Sequence, residues 1–166
     1  EAASSFIYRN AGSGFELDAE NSALLEGLGL VTGAVFSDLN GDGQPDLALA
    51  CEWGPIRVFQ NSRGMLRDAT SEWGFGSQTG LWTSITTGDF DADGRMDIVA
   101  GNWGLNGFYN QAPFGPWHLY FGDINGDGQI QILEAYTNSE MNKIVPWRDM
   151  QLLETVFPWI RETSPT

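Results

Sequence analysis

The sequence predicts an all-β fold, built from blades of four-stranded antiparallel sheet and followed by a short C-terminal helix. Three observations carry that expectation. The 166 residues include 21 Gly, as many tight turns between short strands require. A block of sequence recurs at a fixed displacement of 51 residues. Ile7-Tyr8-Arg9-Asn10 returns as Val58-Phe59-Gln60-Asn61, and Asp38-Leu39-Asn40-Gly41-Asp42-Gly43 returns as Asp89-Phe90-Asp91-Ala92-Asp93-Gly94. Inside the repeat, short strand-like runs alternate with clusters of turn residues.

Taken in order, one full unit begins with Gly33 to Ser37, a short strand running into the first Asp-rich cluster. Leu47 to Cys51 leaves that cluster almost wholly apolar, the mark of a strand buried on both faces. Gly54-Pro55 is a turn, and Ile56 to Gln60 alternates apolar and polar residues as a half-exposed strand does. Asn61-Ser62-Arg63-Gly64 turns again, and Met65 to Thr70 supplies an outer fourth strand. Four antiparallel strands in about 50 residues is the size of one propeller blade. The second copy repeats the loop strands as Leu81 to Thr87 and Ile98 to Gly101.

A third copy is shortened. Phe108-Tyr109-Asn110 precedes Asp123-Ile124-Asn125-Gly126-Asp127-Gly128, and the separation from Asn to the first Asp falls from 28 residues (Asn61 to Asp89) to 13 (Asn110 to Asp123). One strand and its turn are therefore trimmed, leaving about three repeats. Propellers close with four to eight blades, so this is a partial propeller, completed by the rest of a longer chain or by oligomerisation. Residues 1–139 are assigned to the blades and 140–166 to a helical extension packed on them. In that extension Met150, Leu153, Val156 and Phe157 have helical spacing, Asp149 stands as N-cap and Pro158 ends the helix.

The Asp-rich clusters share the form Asp-x-Asx-x-Asp-Gly-x-x-(Asp/Gln). Oxygens at positions 1, 3, 5, 7 and 9 converge when such a loop curls, and a hard cation such as Ca²⁺ takes six to eight oxygens. In the first loop the donors are Asp38, Asn40, Asp42, the carbonyl of Gln44, and Asp46. In the second they are Asp89, Asp91, Asp93, the carbonyl of Arg95, and Asp97. The third offers Asp123, Asn125, Asp127, the carbonyl of Gln129, and Gln131, with Glu134 falling at position 12. That loop also fits an EF-hand pattern, but its lead-in, Trp117 to Phe121, is strand-like rather than helical. Gly43 and Gly94 hold the sixth position, where a left-handed turn is expected. Asn-Gly and Asp-Gly also form plain hairpin turns. Three copies with the same oxygens at the same spacing favour two to three Ca²⁺ ions instead.

Composition narrows the alternatives. The net charge of −14 argues against nucleic acid, which needs a basic footprint, and its concentration in the loops calls for a cation. No apolar run approaches 18 residues, so no membrane insertion is expected. One Cys (Cys51) and one His (His118) exclude an internal disulfide and a Cys/His zinc site. Carboxylates such as Asp68 and Glu72 have no spacing that singles them out for acid–base chemistry, so no catalytic residue is assigned. The N-terminus has neither a basic start nor an apolar signal core; a leader was removed or the chain was cut from a longer one.

The blocks Phe36-Ser-Asp-Leu-Asn-Gly-Asp-Gly-Gln-Pro-Asp-Leu47 and Thr87-Gly-Asp-Phe-Asp-Ala-Asp-Gly-Arg-Met-Asp-Ile98 resemble FG-GAP/VCBS repeats, the calcium-loop blades of integrin α-subunit propellers and of large secreted bacterial proteins. Phe121 to Gly128 resembles the first half of the motif and departs at Gln131; the tail from Val145 to Ile160 is similar to the helical insert of bacterial members that also carry ASPIC/UnbV domains. The resemblance implies a propeller fold, Ca²⁺ in the loops and an extracellular, periplasmic or cell-surface location; it does not imply a catalytic activity, and no enzyme is expected. The function expected is a structural and interaction module with an unknown protein or glycan ligand. The alternative is a carbohydrate-binding, lectin-like module or an accessory of a polysaccharide-active enzyme, using Trp53, Trp73, Trp82 and Trp103 near the blade turns.

Overall fold

A computed structural model describes residues 4–104 and 116–160. The chain forms two compact units, 1–106 and 107–166. Phe108-Tyr109-Asn110, the start of the third copy, lies outside the described residues. The fold is mostly β, and among the described residues every strand pair is antiparallel.

The first unit opens with a hairpin, β1 (Tyr8–Asn10) and β2 (Phe15–Leu17), and a short helix, α1 (Ala19–Ala23). Neither is legible in the sequence as an element, because three-residue strands and a five-residue helix are too short to show periodicity. Asp18 caps α1 by accepting from the Asn21 N–H at 3.2 Å. The full blade follows as β3 (Leu30–Ser37), β4 (Asp46–Gly54), β5 (Arg57–Ser62) and β6 (Met65–Asp68), hydrogen-bonded in that order. Arg63 and Gly64 join β5 to β6 with φ of 54° and 87°. Both are left-handed, which makes a tight turn whose twist suits the strands.

Burial on both faces of β4 is confirmed, since Asp46 to Cys51 are all buried. Alternate residues feed two cores: Leu47, Leu49 and Cys51 pack with Leu25, Phe59 and Leu66, while Ala48 and Ala50 pack with Leu39, Ile56 and Val58. The expectation of a half-exposed strand over Ile56 to Gln60 is corrected. Ile56, Val58 and Phe59 are all fully buried, because Val58 and Phe59 point to opposite faces and each face meets its own core.

The inner strands of the second copy are β7 (Gly80–Gly88) and β8 (Asp97–Asn102). Near its end β4 also pairs with β7: Glu52, still opposite Leu30 of β3, pairs with Leu81, and Gly54 with Gly80, around a bulge at Trp53, φ 59°. The Thr32 hydroxyl sits 3.2 Å from the Ala50 carbonyl and 2.7 Å from that of Trp82, which ties β3 to both neighbours. Gly33 permits this approach: a Cβ there would lie 3.2 Å from the Ile85 nitrogen.

In the second unit β9 (Trp117–Gly122), β10 (Gln131–Asn138) and β11 (Lys143–Pro146) form a meander. β11 falls within the stretch read as a helical extension, so that stretch begins with a strand. Trp117, Tyr136 and Trp147 pack together with ring centroids 5.0–6.0 Å apart. The final helix, α2 (Met150–Val156), starts where Asp149 accepts from the Leu152 N–H at 2.9 Å. Its buried seam is narrower than the sequence suggested: Leu153 and Phe157 are buried, whereas Met150 and Val156 are exposed.

Candidate functional site

The three Asp-rich loops each join an antiparallel strand pair at the same register. Ser37 pairs with Asp46, Gly88 with Asp97 and Gly122 with Gln131, so the residue before position 1 always faces position 9. The third loop is thus entered by a strand, β9, and is not an EF-hand.

Between those anchors the chain curls around its own side-chain oxygens in a repeated pattern. The position-1 carboxylate accepts from the position-6 glycine N–H: Asp38 from Gly43 (2.8 Å), Asp89 from Gly94 (3.0 Å) and Asp123 from Gly128 (3.0 Å). Position 3 accepts from the N–H of position 5, as Asn40, Asp91 and Asn125 do at 2.9, 3.0 and 3.2 Å. Position 5 accepts from the N–H of position 7, as Asp42, Asp93 and Asp127 do at 2.8–2.9 Å. Position 9 closes the ring by accepting from position 2: Asp46 from Leu39 (3.1 Å), Asp97 from Phe90 (2.9 Å) and Gln131 from Ile124 (2.8 Å).

Left-handed backbone makes the curl. The sixth-position glycines Gly43, Gly94 and Gly128 have φ of 82°, 86° and 81°, as expected. The fourth position is left-handed as well, through Gly41 (79°), Ala92 (64°) and Gly126 (76°), which the motif reading missed. Glycine at that place in two loops was the available signal. Ala92 meets the same requirement with a Cβ and carries the associated strain.

These oxygens form a hard, all-oxygen donor set, and each carboxylate oxygen that accepts one N–H keeps a further lone pair. In the second loop, carboxylate oxygens of Asp89, Asp91 and Asp97 lie within 4.8 Å of one another. Such crowding of like charge suits a hard cation, so the donor set fits Ca²⁺. The Arg95 guanidinium binds Asp93 at 2.7 and 3.0 Å, and with the Arg95 N–H holds that carboxyl below the usual Asp range. In the third loop the Gln129 N–H, with the amides of Asn125 and Gln131, does the same for Asp127.

The loops differ in what stands behind them. Asp46 is 0% exposed, and its second oxygen accepts from the Asn61 N–H of β5 at 2.7 Å. The Asn61 side chain donates to the Pro45 carbonyl at 2.9 Å, and the Gln44 side chain accepts from the Arg63 N–H. Gln44, expected to offer its carbonyl, thus also joins a third-strand clamp whose donor to Asp46 lies 15 residues away, beyond the span of the loop motif. Glu134 lies in β10 opposite Leu119 of β9, three residues beyond Gln131 and hence on the other face of the strand. Its carboxylate lies 3.6 Å from Arg148.

Most of the remaining candidates are packed or paired within the fold. Trp73 and Trp82 pack against the core beside Ala48 and Val58, which leaves Trp103 as the clearly exposed member of the four tryptophans. Asp68 and Glu72 are paired with Arg57 and Arg67 respectively. Cys51 is buried, and burial pushes its thiol up. His118 shares a hydrogen bond of 2.9 Å with the Thr137 hydroxyl.

Comparison with known families agrees with the loop motifs. Residues 38–100 match the FG-GAP-like repeat, a span that holds the first two loops and the strands between them. That repeat is a non-catalytic structural one, typical of extracellular and cell-surface proteins. No curated protein and no solved structure matches the chain. Among the described residues no helix is long and apolar enough to cross a membrane.

Proposed function

We propose that this chain is a calcium-binding β-propeller repeat segment, serving as a structural and interaction module of a secreted or cell-surface protein. The observation that carries the reading is the common hydrogen-bond lattice of the three loops, which curls each loop around its own side-chain oxygens and in the second brings oxygens of Asp89, Asp91 and Asp97 within 4.8 Å of one another. Asp38, Asn40, Asp42 and Asp46 would hold one Ca²⁺, with the carbonyl of Gln44. Asp89, Asp91, Asp93 and Asp97 would hold another, with the carbonyl of Arg95. Asp123, Asn125, Asp127 and Gln131, with the carbonyl of Gln129, form a third site of lower charge. Bound Ca²⁺ supplies the positive charge that offsets the crowded carboxylates.

The protein's own part is to present those oxygens pre-curled at the ends of rigid strand pairs. At free Ca²⁺ a hundredfold above Kd, each occupied site adds about 2.7 kcal/mol of stability. Thermal unfolding in Ca²⁺ and in EDTA tests the reading: the melting temperature is expected to fall on chelation. An unchanged melt, with no heat in calorimetric Ca²⁺ titration, would refute it. The ligand of the module, protein or glycan, and completion of the propeller by further chain or by oligomerisation belong to the same proposal.

A further inference from the structure

The hairpin β1–β2 repeats the outer hairpin β5–β6 at the same displacement of 51 residues. Tyr8 pairs with Leu17, Arg9 with Glu16 and Asn10 with Phe15, the register of Phe59 with Asp68, Gln60 with Arg67 and Asn61 with Leu66. Their closures match too. The Ile7 carbonyl accepts from the Asp18 N–H at 2.9 Å, as Val58 accepts from Ala69 at 2.8 Å. The Ile7 N–H donates to the Ser22 hydroxyl at 2.9 Å, as Val58 donates to the Thr70 hydroxyl at 3.1 Å.

What differs is the other edge. β5 is covered there by β4, through Leu47 opposite Phe59 and Ala48 opposite Val58, and the Asn61 N–H reaches the loop carboxylate of Asp46. Backbone groups alternate along a strand, so Tyr8 and Asn10 present theirs to the corresponding edge of β1. Among the described residues β1 pairs with β2 only. Phe59 is 1% exposed and Leu66 9%, whereas their counterparts Tyr8 and Phe15 are 58% and 75% exposed. A hollow of about 310 Å³ lined by Phe6, Leu17 and Ala23 together with Ser4, Ser22 and Glu26 lies beside the hairpin.

We propose that β1–β2 is the outer half of a further blade, and that the open edge of β1 docks an inner β-hairpin bearing an Asp-rich loop. The occupant follows from the first blade: its second inner strand lies against Ile7 to Asn10, and the Asp at position 9 of its loop accepts from the Asn10 N–H. This inference rests on the repeat-module reading above and specifies which edge completes the module and with what chemistry.

The test extends the full chain at its N-terminus with a second copy of residues 30–54, joined to Ser4. The copied glycine then stands three residues before Phe6, as Gly54 stands before Arg57. Amide hydrogen exchange at Tyr8 and Asn10, read by NMR, is expected to slow by at least about tenfold. Tyr8→Pro should abolish the slowing at Asn10 in the extended chain. In the original chain it should leave the melting temperature unchanged, since Pro is tolerated where an edge N–H has no partner. A synthetic peptide of residues 30–54 carrying Cys51→Ser, added to the original chain, provides a second arm that does not need the extension to fold. Unchanged exchange in both arms overturns the proposal. So does protection in the original chain that rises with its concentration, which would assign the edge to a second copy. Exchange is measured in EDTA as well as in Ca²⁺, so failure of the loops to bind metal leaves this outcome readable.

Discussion

The first and second loops are built from nearly the same residues, yet the fold holds them differently. Asp46 is sealed behind β5 with both oxygens on backbone donors, Leu39 and Asn61. Asp97, at the same position of the second loop, is half-buried and accepts from Phe90 alone among the described residues. Asp93 is meanwhile bridged by Arg95, a cation supplied by the loop itself. Among the described residues one motif therefore stands in two settings: a first loop fixed by the third strand of its blade, and a second loop held by its own backbone N–H groups and by Arg95. The spelling of a loop sets its oxygens, whereas the third strand of the blade sets how far the loop is fixed before any ion arrives.

The largest effect should come from the ninth position. Asp46→Ala strands two backbone N–H groups in a buried setting and is expected to cost about 3 kcal/mol in urea denaturation with EDTA present. Asp97→Ala removes one half-exposed acceptor and should cost about 1 kcal/mol. Equal losses would erase the distinction between the loops. The third loop sharpens the comparison from the other side. Gln131→Asp replaces an amide that donates to Asp127 with a like charge, so the variant should be less stable in EDTA. Its calorimetric Ca²⁺ affinity at that loop should rise about tenfold, roughly 1.4 kcal/mol of binding free energy. The smallest effect is expected at the fourth position. Ala92→Gly relieves a left-handed Cβ against the greater freedom of an unfolded glycine, for a net gain of about 0.5 kcal/mol. No change at Gly41→Ala would show that this position carries no strain in the first loop.

Much of this was legible in the sequence because it is local. The loops, their glycines and the four strands of the blade follow from residues within a dozen positions of one another. The aromatic run from Trp117 to Phe121 spells a strand leading into the third loop, and β9 is one. What escaped is long-range or set by faces. The Asn61 clamp on Asp46 exists only once β5 lies beside β4. The burial of Val58 and Phe59 depends on layers stacked on both sides of the sheet. Glu134 matched a position count, but strand parity turned it from Gln131. The hairpin at β1 was visible as a repeated string, Ile7 to Asn10, before it could be recognised as half of a blade.

The doubly buried strand β4 has a further consequence. A strand with water on one face is held in register by polarity, since a slip of one residue exposes its apolar set. β4 has no wet face along Asp46 to Cys51, and polarity cannot set its register there. Size does so instead. Leu47, Leu49 and Cys51 fill one side while Ala48 and Ala50 line the other. A one-residue slip would crowd the alanine side and hollow the leucine side, and close-packed interiors resist both. The alternation of large and small along this strand works as a ratchet, and Asp46, pinned at its first tooth, is the pawl.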